Sequence, residues 1–123
     1  MIFRAFFCLL LAFPGAAFAD AVDETEIVYL LDFVAASGCI FVRNGDEHNA
    51  ADAADHLRLK YGRGKRYVDS AEDFIDFLAT ESSWSGEPYT IICDGVSQAS
   101  AQWLYRALSD YRQQPLPEPG QSR

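Results

Sequence analysis

The chain has 123 residues, and its 18 acidic side chains outnumber its 10 basic ones, which gives a formal charge of −8. This length suits a single small domain. The excess of negative charge argues against nucleic acid as a partner, because the protein would repel the phosphate backbone.

The first 19 residues have the pattern of a secretory signal peptide. Arg4 gives them a positive start, residues 5–13 are apolar, and Ala17-Phe18-Ala19 is a small-x-small site of the kind that signal peptidase cleaves. A membrane anchor is the alternative, but this apolar stretch is much shorter than the roughly 20 residues that span a bilayer. We therefore predict export, cleavage after Ala19, and no stable membrane span in the mature protein.

Cleavage of this leader would remove Cys8 and leave two cysteines, Cys39 and Cys93. An even number of cysteines in an oxidising compartment favours a disulfide. A metal site is the alternative, but zinc would need two further ligands, and neither cysteine belongs to a Cys-x-x-Cys pair. A disulfide closing this loop would stabilise the fold by roughly 4 kcal/mol.

The first helix of the mature chain is predicted over about residues 24–37. Asp23 and Glu26 have the spacing of a capping box, and apolar residues recur behind them at helical spacing. Gly38 suits the left-handed residue that ends a helix, and residues 39–42 then have the branched and aromatic composition of a strand.

Asn44-Gly45 is a turn signal at the end of this strand. Residues 46–49 do not alternate as a hairpin partner should, so we predict that they lead directly into a second helix. The apolar residues of that helix and the glycines near its end are Ala50, Ala53, Ala54, Leu57, Tyr61, Gly62 and Gly64.

A third helix is predicted from Ser70, which is a suitable N-cap, and a second strand from Tyr89 to Cys93. A turn at Asp94-Gly95 follows that strand. Ser97 or Ser100 is expected to open a fourth helix, whose apolar residues again recur at helical spacing.

Together these elements predict an α+β fold of about four amphipathic helices packed with a short two-stranded β element and one disulfide. Cys39 begins the first strand and Cys93 ends the second, so antiparallel pairing would bring their Cβ atoms to the ~3.5–4.5 Å that a disulfide requires. We predict three segments: a cleaved signal peptide at 1–19, a single domain at 20–113, and a disordered proline-rich tail at 114–123.

Three motifs together resemble those of a known family: Cys39-Ile-Phe-Val-Arg-Asn-Gly45, Ala50-x-x-Ala53-Ala54-x-His56-Leu57-x-x-Lys60-Tyr61, and Ser83-x-Ser85-Gly86-x-Pro88-Tyr89. They are similar to those of the small exported Gram-negative bacterial proteins catalogued as domain of unknown function 5329. The resemblance extends over most of the mature chain and implies a periplasmic domain without an enzymatic role. The positions that match its pattern are Arg43, Asn44, Gly45, His56, Leu57, Lys60, Tyr61, Ser83, Gly86 and Tyr89.

A basic cluster, Arg58, Lys60, Arg63, Lys65 and Arg66, occupies nine positions that contain no acidic residue. The simpler interpretation is that these cations follow the C-terminal end of the second helix, where the helix dipole favours positive charge. The functional interpretation is a landing site for an anionic surface or ligand, which the negative field of the remaining chain would weaken at long range.

Asp52, His56 and Lys60 are spaced by four residues and therefore lie along one side of the second helix. We expect Asp52 to pair with His56 on the helix surface and Lys60 to remain solvated. A metal site would add His48 and Asp55, but the sequence contains no His-x-x-x-His pair or similar chelating motif. We predict neither a metal nor another cofactor.

A small hydrolase is the alternative function. It would use His56 as general base, Ser83 or Ser85 as nucleophile, and Asp52 or Asp55 to orient the imidazole. No Gly-x-Ser-x-Gly elbow supports this chemistry, and Ser85 followed by glycine is also a good turn sequence.

Trp84, Tyr89 and Tyr61 are the better argument for a binding surface, since no helical stripe accounts for a loop tryptophan beside serines and glycine. Core burial is the simpler explanation of these aromatic residues; exposed, they would stack on sugars or anchor a protein. Arg43 and Asn44 end a strand and form a turn, and they are candidate donors to a carboxylate or a sugar.

We therefore expect a non-catalytic binding or accessory module in the periplasm, with an envelope protein or a glycan as its partner. The candidate ligand-binding residues are Arg43, Asn44, His56, Lys60, Tyr61, Ser83, Trp84 and Tyr89.

Overall fold

The structure is a computed structural model that describes residues 15–115. The predicted signal peptide up to residue 14 and the predicted tail from residue 116 lie outside the described residues. In chain order the elements are α1 (Gly15–Ala36), β1 (Ile40–Arg43), β2 (Asp46–His48), α2 (Ala50–Gly64), a 3₁₀ turn (Lys65–Tyr67), α3 (Ala71–Asp73), a π-helical segment (Phe74–Leu78), β3 (Thr90–Cys93), β4 (Val96–Ala99) and α4 (Ser100–Gln113). The predicted α+β class is confirmed.

The prediction of a two-stranded β element is wrong, because the described residues contain a four-stranded antiparallel sheet in the order β2-β1-β3-β4. The outer strands β2 and β4 belong to hairpins that turn at Asn44-Gly45 and Asp94-Gly95, and all four of these turn residues have positive φ. Turns of this kind match the twist of the flanking strands and so form a hairpin without an alternating partner strand. The polar residues of β2 are tolerated because this strand lies at a solvated edge.

Cys39 and Cys93 form a disulfide across the central pair of strands, with 4.7 Å between their Cα atoms. Strands β1 and β3 are antiparallel, as predicted, and Phe41 lies opposite Ile91 in their register. Both side chains are buried, and the ring of Phe41 meets Trp103 of α4 edge-on at 5.6 Å between centroids. The disulfide therefore holds the sheet together beside the core that the sheet forms with the helices.

Helix α1 begins before the predicted capping box, so Asp23 lies inside the helix and is not its N-cap. Glu26, the expected capping partner, is buried and instead pairs with Arg112 of α4, with 2.6 Å between Glu26 Oε2 and Arg112 Nε. Tyr29 stacks on Tyr111 of α4 at 4.2 Å between ring centroids. These contacts hold the C-terminal helix against α1. Within the described residues, no helix has an apolar stretch long enough to cross a membrane.

The second helix occupies its predicted span, and the side chain of its N-cap Asn49 accepts a hydrogen bond from the Asp52 amide at 2.8 Å. Ser70 is confirmed as the N-cap of α3, because its hydroxyl accepts a hydrogen bond from the Asp73 amide at 3.0 Å. Helix α4 begins at Ser100, one of the two residues predicted to open it. Helix α2 packs on α1 through its buried alanines and leucine, which leaves its polar side for the candidate site.

Candidate binding site

A cleft of about 530 Å³, here called the outer cleft, lies between the β1–β2 hairpin, α2 and the loop that precedes β3. Seven of the eight candidate residues line it: Arg43 and Asn44 from the hairpin, His56 and Lys60 from α2, Ser83 and Trp84 from the loop, and Tyr89 before β3. Tyr61 is the exception, because it follows Lys60 by one residue and so points about 100° away around the helix. Its ring packs edge-on against Phe74, with 5.9 Å between centroids.

Tyr89 is the most buried of the three aromatic candidates, with 6% of its surface exposed. Its amide donates to the Thr80 carbonyl at 2.9 Å, and its carbonyl accepts from the Ser100 amide at 3.0 Å. Lys60 Nζ donates to its hydroxyl at 3.2 Å, and His56 Nε2 is 3.4 Å from the same oxygen. The Tyr89 hydroxyl is therefore a shared hydrogen-bond partner of Lys60 and His56.

The prediction that Lys60 remains solvated is wrong, because the loop before β3 folds over this part of α2. Besides bonding to Tyr89, Lys60 Nζ donates to the Glu81 carbonyl at 3.2 Å and lies 5.0 Å from the centroid of the Tyr89 ring. Burial lowers the pKa of Lys60, and the charge of Arg43 lowers it further, while Glu81 acts in the opposite direction. Lys60 is thus a partly desolvated cation beside a second one.

The predicted pairing of Asp52 with His56 is also wrong, since among the described residues the side-chain hydrogen bond of His56 goes to Tyr89. Burial lowers the pKa of His56 from 6.5, and the charges of Arg43, Lys60 and His48 lower it further. The imidazole is therefore uncharged at neutral pH and becomes a cation only in acid.

Ser82, which sequence analysis did not select, organises the loop. It is 4% exposed, and its hydroxyl accepts hydrogen bonds from the amides of Trp84 and Ser85, both at 3.3 Å, and from Asn44 Nδ2 at 3.2 Å. The Ser85 hydroxyl donates to Asn44 Oδ1. Serine hydroxyls that bond to nearby backbone amides are typical of such turns. The spacing of Ser82 and Ser85 was therefore the sequence signal that could have identified Ser82. Asn44 therefore connects the β1–β2 turn to the loop.

Trp84 is 92% exposed, so the expectation of core burial is wrong for this residue, although it holds for Tyr89. The hydrogen bonds of Ser82 hold the loop that presents the indole at the edge of the outer cleft. Neither Ser83 nor Ser85 hydrogen-bonds to His56 within the part of the chain that the structure describes. The residue types of a hydrolytic triad are present, but these hydroxyls and the imidazole have other partners or lie apart.

The outer cleft is positive although the protein is acidic. Its charged lining residues are the cations Arg43, Lys60 and Arg63 and one acid, Asp46. None of the three cations forms an ion pair with a carboxylate of the described residues. Arg63 was missed as a site residue, although its position seven residues after His56 places both on one face of α2.

Four of the five cations in the basic cluster identified in the sequence fall into two groups, and the fifth, Arg66, is exposed on the 3₁₀ turn. Arg58 pairs with Asp32 and Asp55, and Lys65 pairs with Glu24. These exposed pairs agree with the interpretation of a solvated helix end. Lys60 and Arg63, in contrast, line the outer cleft.

A second space of about 180 Å³, here called the inner pocket, adjoins the outer cleft. Arg43, His56 and Tyr89 line both spaces. His48, on the edge strand β2, lines the inner pocket, and its Nε2 is buried without a hydrogen-bond partner among the described residues.

Comparison with known proteins finds the same family that the three sequence motifs resemble. The family described as "Family of unknown function (DUF5329)" matches residues 21–112, a range that contains the whole sheet and every residue of both spaces. The Uncharacterized protein YfeK of Salmonella typhimurium is 45% identical over 82 residues, which are 66% of this chain and 68% of that protein. No solved structure matches the chain. The family match covers most of the chain, and the protein therefore belongs to the DUF5329 family of unknown function.

Proposed function

We propose that this protein is an exported, non-catalytic binding module of the periplasm that holds an acidic glycan of the cell envelope in the outer cleft. The observation that carries the proposal is the gathering of unpaired cations around Tyr89 in a chain of charge −8, with Trp84 exposed beside them. Export is supported by the leader pattern and by the disulfide, since such bonds persist in oxidising compartments.

Arg43 is the residue best suited to bind the acidic group. It is half-buried, and its charge acts on both His56 and Lys60. A guanidinium group matches a carboxylate with two parallel hydrogen bonds, which a lysine cannot do. A carboxylate between Arg43 and Lys60 would also relieve the repulsion that contributes to the lowered pKa of Lys60.

Trp84 accounts for the sugar part of the ligand. An indole with 92% of its surface exposed contributes little to the stability of the fold, yet hydrogen bonds hold the loop that presents it. The flat apolar face of such a ring can cover the apolar face of a sugar. The negative charge of the rest of the chain opposes long polyanions, so a glycan with isolated acidic groups suits the outer cleft better.

Two alternatives have less support. A protein partner would also use Trp84 as an anchor, but it does not by itself account for the three cations that line the outer cleft without carboxylate partners among the described residues. A hydrolase would need a serine hydroxyl activated by His56, whereas that imidazole hydrogen-bonds to Tyr89.

Titration with D-glucuronate and D-glucose tests the proposal, because the two sugars differ in one carboxylate. Chemical shifts of the labelled protein, supported by tryptophan fluorescence, should give an affinity for glucuronate at least about tenfold higher than for glucose. Arg43→Gln should weaken glucuronate binding about tenfold through loss of the charged hydrogen bonds, and Trp84→Ala about fivefold through loss of stacking.

Matched controls are available on the 3₁₀ turn. Arg66→Gln removes one exposed cation outside the outer cleft, and Tyr67→Ala removes an aromatic side chain that is 64% exposed. Both variants should bind glucuronate as the unaltered protein does. Equal affinity for the two sugars, or equal weakening by Arg66→Gln and Arg43→Gln, would show that the outer cleft is not an acidic-glycan site. Binding of a peptide partner that depends on Trp84 but not on Arg43 would favour the protein alternative.

The affinity for glucuronate should rise as the pH falls below about 6.5. Burial and the neighbouring cations lower the pKa of His56 below 6.5, so the imidazole gains its charge only in this acidic range. A bound anion favours the protonated form, and the sugar carboxylate stays ionised because its pKa is near that of an ordinary carboxyl group. His56→Gln should remove most of this pH dependence in the same titration. A rise in affinity that survives in His56→Gln would rule out His56 as its source.

A further inference from the structure

From the inner pocket we infer a second subsite, which takes a compact apolar acyl or alkyl group carried by the same anionic ligand. This inference rests on the proposed function and adds the chemical class of the ligand: an acidic molecule with a short apolar substituent. The substituent would lie beyond Arg43 as seen from the outer cleft.

Four of the ten residues that line the inner pocket have apolar side chains. Three of these four, Phe41, Ala53 and Leu57, are buried, with exposures of 6%, 8% and 3%. An apolar cavity of about 150 Å³ is known to hold a molecule of the size of benzene. The inner pocket, at about 180 Å³, is comparable in size, which corresponds to a substituent of about five or six carbon atoms.

The position of the pocket connects it to the anion site. Because Arg43, His56 and Tyr89 line both spaces, an acidic group on Arg43 lies at the border between them. A ligand held there can extend into the inner pocket without leaving the guanidinium group.

The charged residues that line the two spaces determine the orientation of the bound ligand. Asp52 lines the inner pocket, whereas Lys60 and Arg63 line the outer cleft. The acidic group is therefore favoured towards the outer cleft and the uncharged part towards Asp52. His48 also lines the inner pocket, and its buried Nε2 has no hydrogen-bond partner among the described residues. A hydrogen bond from this nitrogen to the oxygen of an acyl group would stabilise the bound ligand.

A series of straight-chain carboxylates tests this inference: acetate, butanoate, hexanoate and octanoate, each titrated into the protein and followed by chemical shifts. Affinity should rise about threefold for each added methylene up to about six carbons and then level off as the pocket fills. The largest shifts beyond butanoate should occur at the methyl groups of Leu57. Hexanamide, which lacks the charge, should bind at least about tenfold more weakly than hexanoate.

Ala53→Leu provides a variant in which a larger side chain fills the inner pocket, and Ala51→Leu is its control on the exposed side of the same helix. The first should abolish the gain from acetate to hexanoate, and the second should retain it. If Ala53→Leu fails to fold, the levelling of affinity and the Leu57 shifts in the unaltered protein decide the question.

The outcomes separate this inference from the proposed function. Equal affinity for acetate and hexanoate, with glucuronate still bound, would overturn the apolar subsite and leave the acidic-glycan proposal standing. A continued rise from hexanoate to octanoate, without shifts at Leu57, would indicate general surface adsorption and would also overturn it. Equal affinity for hexanamide and hexanoate would agree with an apolar pocket but would contradict the inference that Arg43 binds the acidic group of the same ligand.

Discussion

Replacing Cys39 and Cys93 with serine should lower the free energy of unfolding by about 4 kcal/mol, one of the two largest effects expected for this protein. The disulfide joins positions 54 residues apart, so its loss greatly increases the freedom of the unfolded chain. A small domain has a total stability of about 5–15 kcal/mol, and the variant would therefore be only marginally folded. Urea unfolding followed by circular dichroism, with a reductant added to the unaltered protein as a second arm, measures the effect.

The single variants Cys39→Ser and Cys93→Ser are the controls. Each breaks the same covalent link, so each should be destabilised about as much as the double variant and should respond little to reductant. A double variant within about 1 kcal/mol of the unaltered protein would mean that packing of β1 on β3 holds the sheet without the bond. The disulfide would then contribute little to stability.

Replacing Arg112 with leucine should lower the free energy of unfolding by about 3 kcal/mol. Glu26 is 5% exposed, and its two carboxylate oxygens accept hydrogen bonds from Arg112 at 2.6 Å and 2.9 Å. Without Arg112 this carboxylate would be buried and unpaired, which costs far more than the loss of a surface ion pair. Arg112 also lies 2.5 Å from Glu72, and that hydrogen bond lowers the pKa of Glu72. The arginine thus connects α4 to both α1 and α3, and urea unfolding at neutral pH measures the loss.

A second substitution distinguishes the buried charge from lost packing. Glu26→Gln combined with Arg112→Leu should recover more than half of the loss, because a neutral amide is much less costly to bury than a carboxylate. Arg106→Leu is the control on the same helix: Arg106 is exposed and hydrogen-bonds to Gln98, and its removal should change stability by less than about 0.5 kcal/mol. Equal destabilisation by Arg106→Leu and Arg112→Leu would show that burial of Glu26 is not the cause.

Several features of the fold followed from local patterns. The apolar spacing of α2 and the N-cap at Ser70 were correctly predicted because both depend on residues within one or two helical turns. The antiparallel pairing of β1 with β3 followed from the positions of Cys39 and Cys93, since a disulfide tolerates only a narrow range of Cα separations. Seven of the eight candidate site residues were found because they match the motifs of the family that the chain resembles, and Trp84 was found because no helical stripe accounts for it.

The errors also have physical causes. The outer strands were missed because an edge strand need not bury a face, so β2 shows no alternation, and its backbone conformation is set by the Asn44-Gly45 turn. The start of α1 was misplaced because a capping-box pattern is also compatible with a helix interior when Glu26 finds a stronger partner.

The chain's local patterns were thus sufficient to establish the class of the fold, the disulfide and the helix that carries much of the site. They did not specify the partners of polar side chains, because those partners are distant in sequence: Lys60 and Tyr89 are 29 residues apart, and Arg112 and Glu26 are 86 apart. Turns and helices are selected by interactions between near neighbours, whereas burial and the pairing of distant charges depend on how the completed elements pack. Packing therefore brought Lys60 under the loop, exposed Trp84, and created the inner pocket beside the outer cleft.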